Sequence, residues 1–243
     1  MAQIEGRNPV LEALRGNRKI TEILIRQGVA GKRIEKIKSI ADRQNIPVKQ
    51  LSIKEFKSEA ESSVPQGIIA RGAELQLYGI QELVEVARND DGEPLLILLD
   101  HLKDPHNLGA IIRTAYALGA QGLIYPSDRA AGITPTVLKA SAGAAEHLKL
   151  AQVANINYTI DKLKEAGFWV AGADAEGASV CYQQDLQGAI ALVIGSEGHG
   201  LRRLVRQNCD FLVKVPMKNN LNSLNASVAA GVLIYEIIRQ RQK

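Results

Sequence analysis

From residue 94 onward the chain alternates short apolar runs with amphipathic stretches, and this alternation narrows the choice of fold more than any other feature. The runs at 95–99, 122–125, 147–150, 169–173, 190–194 and 211–215 read as strands. Helical periodicity occupies 109–118, 134–141, 156–165 and 200–207, and a last helix is expected over 226–241. Regular strand–helix alternation predicts a parallel sheet covered by helices. The first half of the last helix, 228–234, is apolar all round, which predicts that it is buried. Its small residues Ala229, Ala230 and Gly231 would let another backbone come close.

Residues 1–72 read as a smaller α/β unit. Asn8-Pro9 offers a cap with proline at the first helical position, opening a helix at 10–14. Strands are expected at 20–25 and 48–51, and again after the turn Val64-Pro65-Gln66-Gly67, with helices at 32–44 and 53–60. A mixed stretch follows, with a helix over 80–88 and then the polar turn Asn89-Asp90-Asp91-Gly92. The expected organisation is a small domain at 1–72, a linker at 73–92 and a larger domain at 93–243. Charge is shared unevenly: residues 1–72 hold fourteen Lys/Arg against eight Asp/Glu, while the rest is net acidic although the whole chain is +4. Such asymmetry points to a polyanion partner for the first unit, and a solvated basic surface would read the same way.

Three loops rich in glycine or asparagine follow strands in the larger domain. In the first, Asp104-Pro105-His106-Asn107-Leu108-Gly109, Asn107 is the expected N-cap and Gly119 the helix stop. Ile111, Ala115 and Leu118 share a face that must point at a core. Arg113 lies about 200° round the wheel from Ile111 and faces away. A cation and an amide above the end of a buried strand sit where α/β proteins keep ligands. A plain capped helix with an exposed arginine is the alternative.

The second loop is Gly195-Ser196-Glu197-Gly198-His199-Gly200. Its glycine spacing is not that of a dinucleotide fingerprint, and Ser196 lacks the flanks of a nucleophile elbow. Glycines this dense mean close approach of backbone to a ligand or to a crossing chain segment. Glu197 is either a functional carboxylate or a cap for the helix expected near Gly200. The third loop, 216–225, carries Asn219, Asn220, Asn222, Ser223 and Asn225. These side chains either bond their own backbone in turns or present uncharged donors and acceptors to ribose hydroxyls or an adenine edge.

Other classes are disfavoured. With 46% hydrophobic and 23% charged residues the chain is globular, and with 4% aromatics it has few base-stacking platforms. No apolar run approaches the roughly 20 residues of a membrane span, and the opening Met1-Ala2-Gln3-Ile4-Glu5 lacks signal-peptide regions. Cys181 and Cys209 give neither a disulfide framework nor metal-ligand spacing. A soluble, cytoplasmic protein is expected. His101, His106, His147 and His199 form no ligand pattern, so no metal is expected. Nothing in the spacing favours a hydrolase triad around Ser196 or Ser223.

Taken together, the three loops resemble motifs one, two and three of the SpoU class of the SPOUT RNA methyltransferases. The matching stretches are Asn107-Leu108-Gly109-Ala110-Ile111-Ile112-Arg113-Thr114-Ala115, Val193-Ile194-Gly195-Ser196-Glu197-Gly198-His199-Gly200-Leu201, and Val215-Pro216-Met217 with Ser223-Leu224-Asn225-Ala226-Ser227-Val228-Ala229. Gly6-Arg7-Asn8-Pro9-Val10 and Pro65-Gln66-Gly67-Ile68 resemble the family's substrate-binding domain, which is similar to a ribosomal L30e-type protein. Asp104-Pro105-His106-Asn107 and Ser141-Ala142-Gly143-Ala144 bring the chain nearest to the bacterial 23S rRNA guanosine-2′-O-methyltransferases of that class. The resemblance covers essentially the whole chain.

That resemblance implies an α/β fold with a trefoil-knotted, parallel-sheet methyltransferase domain behind a small L30e-like α/β domain. It implies S-adenosyl-L-methionine as methyl donor, a homodimer with the site near the subunit interface, and ribosomal RNA, free or in an assembling large subunit, as partner. Cofactor contacts would fall on Gly195, Val215, Met217 and Leu224, mostly through backbone. The catalytic set would be Asn107, Arg113, Glu197, Ser223 and Asn225. The family role of the Arg113 position is to activate the hydroxyl, yet a guanidinium stays protonated and accepts no hydrogen bond. The expectation is therefore that Arg113 clamps the phosphate next to the target ribose and that this phosphate or Glu197 receives the proton. Asn107 would hold Arg113, and Ser223 and Asn225 would bond the ribose or Glu197. Motif three departs mildly at Ala226, where valine is commoner. A tRNA guanosine methyltransferase of the same class is the nearest rival, and the L30e-like domain favours rRNA. A non-catalytic RNA-binding or ribosome-assembly protein is opposed by the intact Asn107, Arg113 and Glu197. A nicotinamide dehydrogenase lacks its fingerprint.

Overall fold

The structure, a computed structural model, describes residues 2–16, 18–61, 65–128, 130–218 and 223–242. The chain forms two compact units, one of Met1–Gln76 with Ile133–His147 and one of Leu77–Gly132 with Leu148–Lys243. The first contains β1 (Ala2–Glu5), α1 (Arg7–Arg15), β2 (Ile20–Arg26), α2 (Lys32–Arg43), β3 (Val48–Leu51), α3 (Ile53–Glu59) and β4 (Ile68–Gly72). The second opens with α4 (Ile80–Asn89), β5 (Leu95–Asp100), α5 (Pro105–Ala117) and β6 (Gly122–Pro126). Next come α6 (Pro135–Ala140) and the 3₁₀ turn Ala144–Glu146, both part of the first unit. The second unit resumes with β7 (Lys149–Val153), α7 (Ile156–Glu165), β8 (Trp169–Ala173), β9 (Ser179–Val180), β10 (Ile190–Gly195), α8 (Arg203–Asn208), β11 (Phe211–Lys214) and α9 (Ala226–Arg241).

The smaller sheet runs β1-β4-β2-β3, with β2 and β3 parallel and the other pairs antiparallel. β1 has no apolar signature of its own and is a strand because its backbone pairs with β4. The expected strand after Val64 begins at Ile68, since Gln66 and Gly67 take positive φ in the turn; Val64 itself lies outside the described residues. α3 is closed at its start by a capping box between Ser52 and Glu55.

The 133–147 excursion is tied into the first unit by charge. Arg18 and Glu146 pair at 2.7 Å with side chains only 4% and 1% exposed. His147 meets Glu12 at 3.0 Å. Burial outweighs Arg18 and holds the Glu146 carboxyl above its usual range. Truncating one partner leaves a buried charge uncompensated, so Glu146→Ala is expected to cost about 3–5 kcal/mol, read as a lower urea midpoint for the first unit. An unchanged midpoint would remove this pair from the account of stability.

In the second unit seven strands lie in the order β7-β6-β5-β10-β8-β11-β9, every pair parallel. Residues alternate across β5. Leu96 and Leu98 join Ala191 and Val193 in the core beneath α4, α7 and α8. Leu95, Ile97 and Leu99 are equally buried on the opposite face, where α9 packs on α5 and β10. The stretch 73–92, expected as a linker, contains α4, whose Leu83 is fully buried in that core. The strand expected at 147–150 forms instead at Lys149–Val153.

One expectation is overturned in α9. Its first half is not buried all round: Val228 and Val232 are 50% and 39% exposed, and Tyr235 just beyond it and Tyr116 of α5 are open as well. Gly231 does face another helix, but a Cβ there would lie 3.6 Å from the Thr114 methyl of α5, an ordinary contact. Among the described residues no helix is long and apolar enough to cross a membrane, and no cluster of three or more His, Cys, Asp or Glu could hold a metal.

Candidate active site

β10 lies between β5, which leads to β6 and β7, and β8, which leads to β11 and β9. The order of the sheet therefore reverses at the β5–β10 pair, and open α/β sheets bind ligands beyond the carboxyl ends of strands at such a point. Asp100 at the end of β5 is in register with Gly195 at the end of β10, so the loops that follow leave side by side.

The helix after β5 starts earlier than expected. Asp104 is its N-cap, accepting from the His106 N–H at 2.9 Å, and Pro105 takes the first helical position. Asn107 is thus not a cap. The Asp-Pro pair is the cap-and-proline signal that was expected of Asn8-Pro9, where it does not hold: α1 begins at Arg7 after Gly6, with Asn8 and Pro9 inside its first turn. Asn107 stands in the first turn, 7% exposed, and its Nδ2 donates to Glu197 Oε1. Its carboxamide is therefore directed at Glu197 rather than Arg113, which lies about 9 Å further along the axis. Arg113 is exposed.

The glycine loop closes on itself. The Ser196 N–H donates to Gly200 O at 3.1 Å and the Gly200 N–H to Ser196 O at 3.0 Å, while Gly198 and Gly200 adopt φ of 78° and 62°. A Cβ at Gly195 would sit 2.2 Å from the Gly200 carbonyl carbon. The backbone that approaches Gly195 is the loop's own return. α8 begins at Arg203, not near Gly200, and Glu197 does not cap it. The Arg202 N–H at its threshold goes instead to the fully buried Asp100, at 2.7 Å.

Beyond the ends of β10, β8 and β11 lies a cleft of about 430 Å³. Gly195, Glu197, Val215, Met217, Ser223 and Leu224 line it, together with the apolar Ile194, Val213 and Leu233. Three expected residues are not on its wall, Asn107 reaching it only through its bond to Glu197. Arg113 lies along α5, and Asn225 is the N-cap of α9, its Oδ1 accepting from the Ser227 N–H at 2.9 Å and hydroxyl at 2.6 Å. Asn219, Asn220 and Asn222 lie outside the described residues. The sequence reading missed the wall after β8, where Arg206 pairs with Asp174 at 2.9 Å and reaches Glu176 at 3.5 Å. Its signal was Asp174-Ala175-Glu176-Gly177, a fourth polar loop directly after a strand.

Cys181 is buried and Cys209 partly buried. Burial pushes the Cys209 thiol up to about 12 and raises that of Cys181. Since the thiolate is the reactive form, neither should be alkylated by iodoacetamide at pH 8 until the protein is unfolded. Rapid modification of the native protein, read by mass spectrometry, would contradict this burial.

Comparison with known proteins assigns the chain to a family. Residues 94–235 match the SpoU rRNA Methylase family, and residues 3–78 match RNA 2′-O ribose methyltransferase substrate binding. The chain is 41% identical over 225 residues to the 23S rRNA (guanosine-2′-O-)-methyltransferase RlmB of Pseudomonas putida, covering 93% of this chain and 90% of the relative. It is 40% identical over 236 residues to YacO of Bacillus subtilis, whose name assigns it to the TrmH family and leaves tRNA and rRNA both open, covering 97% of this chain and 94% of the relative. Among solved structures, the SpoU methyltransferase AviRb from Streptomyces viridochromogenes in complex with AdoMet has the same fold, with a TM-score of 0.82 at 24% identity over 98% of this chain and 90% of that one. The chain belongs to the SpoU rRNA methylase family.

Proposed function

We propose that this protein transfers a methyl group from S-adenosyl-L-methionine to the ribose 2′-hydroxyl of a guanosine in 23S rRNA. The observation that carries the reading is the Asn107–Glu197 hydrogen bond, which joins the loop after β5 to the loop after β10 at a cleft-lining carboxylate. The 41% identity to RlmB supports the choice of substrate.

The cleft suits the methyl donor chemically. Ile194, Val213, Val215 and Leu233 offer apolar walls for an adenine ring, and Asp174, Glu176 and Glu197 offer carboxylates to cationic groups and ribose hydroxyls. Arg206 offers a partner for a carboxylate, and the volume lies within the usual range for small-molecule sites. Gly195, Val215, Met217 and Leu224 would hold the cofactor. When bound, it supplies an electrophilic methyl on a sulfonium.

The protein's own task is to align the hydroxyl and to take its proton. Glu197, with Oε1 held by Asn107, keeps Oε2 for that proton. Arg113 clamps the phosphate next to the target ribose as a permanent cation with a fixed fork of donors. Ser223 reaches the ribose from the cleft wall, and Asn225, its Oδ1 spent on the cap, has Nδ2 left to donate. The trefoil knot implied by the resemblance belongs to this reading.

The first unit, with its excess of cations, would bind the rRNA, free or in an assembling large subunit in the cytoplasm. A second copy of the chain would cover the apolar stripe of Val228, Val232 and Tyr235 and so place the site near a dimer interface, which light scattering would detect. The test of function is a map of ribose methylation in total RNA from cells with and without the protein. Loss of one guanosine mark in 23S rRNA is expected. A lost mark in tRNA would favour the second reading, which the name of YacO keeps open. No lost mark, together with no calorimetric binding of S-adenosylmethionine, would leave only a binding protein.

A further inference from the structure

Asp100 is a fully buried carboxylate whose bonds lead to an exposed arginine. Its Oδ2 accepts the Arg202 backbone N–H at 2.7 Å, and its Oδ1 accepts Arg202 Nε at 2.7 Å and meets His101 Nδ1 at 2.9 Å. The Arg202 side chain is nonetheless 49% exposed. A buried charge is costly to desolvate, while an ion pair to a half-exposed partner returns little. What this arrangement does supply is order. It fixes the backbone and the Nε of Arg202 together, prepaying the rotamer entropy of a long side chain and leaving its two terminal nitrogens to project outward. Among the described residues no hydrogen bond or ion pair is made by those two nitrogens.

The position is also informative. Arg202 follows Leu201 of the cleft wall and is held over the end of β5, the strand that leads to Asn107. The same two loops are thus joined twice, by Asn107–Glu197 and by Asp100–Arg202.

We propose that Arg202, held by Asp100, is a preset contact for a backbone phosphate of the RNA beside the target nucleotide, and that Asp100 is its positioning residue. The inference rests on the reading of RNA as substrate. The anion that fits a fixed pair of guanidinium nitrogens could also be the carboxylate of S-adenosylmethionine, and the experiment separates the two.

Arg202→Gln retains an amide donor for Asp100 and loses the cation. Affinity for a 23S rRNA transcript is measured by filter binding from 50 to 200 mM salt, S-adenosylmethionine affinity by calorimetry, and Tm by melting. The expected result is an RNA Kd raised about tenfold and a log–log salt slope reduced by about one, with cofactor Kd and Tm unchanged. Asp100→Asn, which can keep its carbonyl bond but not its charge, should weaken RNA binding in the same direction and by less. Unchanged RNA affinity and slope in Arg202→Gln would overturn the proposal. So would a weakened cofactor affinity with RNA binding intact, or a fall in Tm that accounts for both losses. If the wild-type protein binds the transcript through Arg202 yet methylates no RNA, the phosphate contact stands and the proposed activity fails.

Discussion

Arg113→Ala is expected to lower kcat/KM for RNA methylation by about 10²- to 10³-fold, the usual cost of removing one preorganised charge-stabilising donor. The expectation follows from two features of the residue. Arg113 stands on α5, the helix that also carries Asn107, and its side chain is exposed to an incoming substrate. It does not line the cleft, so S-adenosylmethionine affinity should stay the same while RNA turnover collapses. Arg113→Lys separates a clamp from a mere charge. A lysine keeps the positive charge and loses the planar fork, and should remain at least about tenfold impaired. Near wild-type turnover in that variant would sink the bidentate clamp.

The second large effect is expected at Gly195. An added Cβ would meet the Gly200 carbonyl carbon at 2.2 Å, its oxygen at 2.4 Å and the Leu201 nitrogen at 2.5 Å. All three are backbone atoms and none can swing aside as a side chain would. Gly195→Ala must therefore break the Ser196–Gly200 pair or displace the end of β10, carrying Glu197 away from Asn107. Overpacking of this kind costs about 1–3 kcal/mol, so a fall in Tm of several degrees is expected. Loss of measurable S-adenosylmethionine binding should accompany it, because Gly195 and Leu201 both line the cleft. Gly188→Ala is the control: a Cβ there meets nothing within 4 Å, although the positive φ of 77° carries a small backbone cost. Wild-type cofactor affinity in Gly195→Ala would show that the loop tolerates the change.

Much of the fold was legible because short-range patterns specify it. The runs at 95–99 and 190–194 are buried on both faces of a parallel sheet, and such strands are apolar along their whole length. Residues 156–165 were read to the residue because Asn155 caps that helix locally. The errors came where a distant partner decides. β1 exists by pairing with β4, and α9 looked buried because apolar residues surround it, although the chain itself covers only part of its surface. Helix α6 follows β6 in the chain and yet belongs to the first unit.

The site divides in the same way. The sequence by itself determined which residues could do the chemistry: a carboxylate in a glycine loop, an amide and a cation after a buried strand, and a serine–asparagine loop after another. Residue type fixes charge, hydrogen-bonding capacity and local turn preference, and these are properties of short segments. Only the tertiary structure decided which of them meet. It directed Asn107 to Glu197, assigned Asn225 to the cap of α9, and brought Asp100 to Arg202 across 102 positions of chain. It also turned the glycines of 195–200 from a general sign of close approach into a loop that closes on itself. Such pairings depend on strand order and register, and in this chain β10 enters the sheet between β5 and β8 only after both have been laid down in sequence. No local pattern encodes that insertion, because its driving force is the burial of both faces of one sheet.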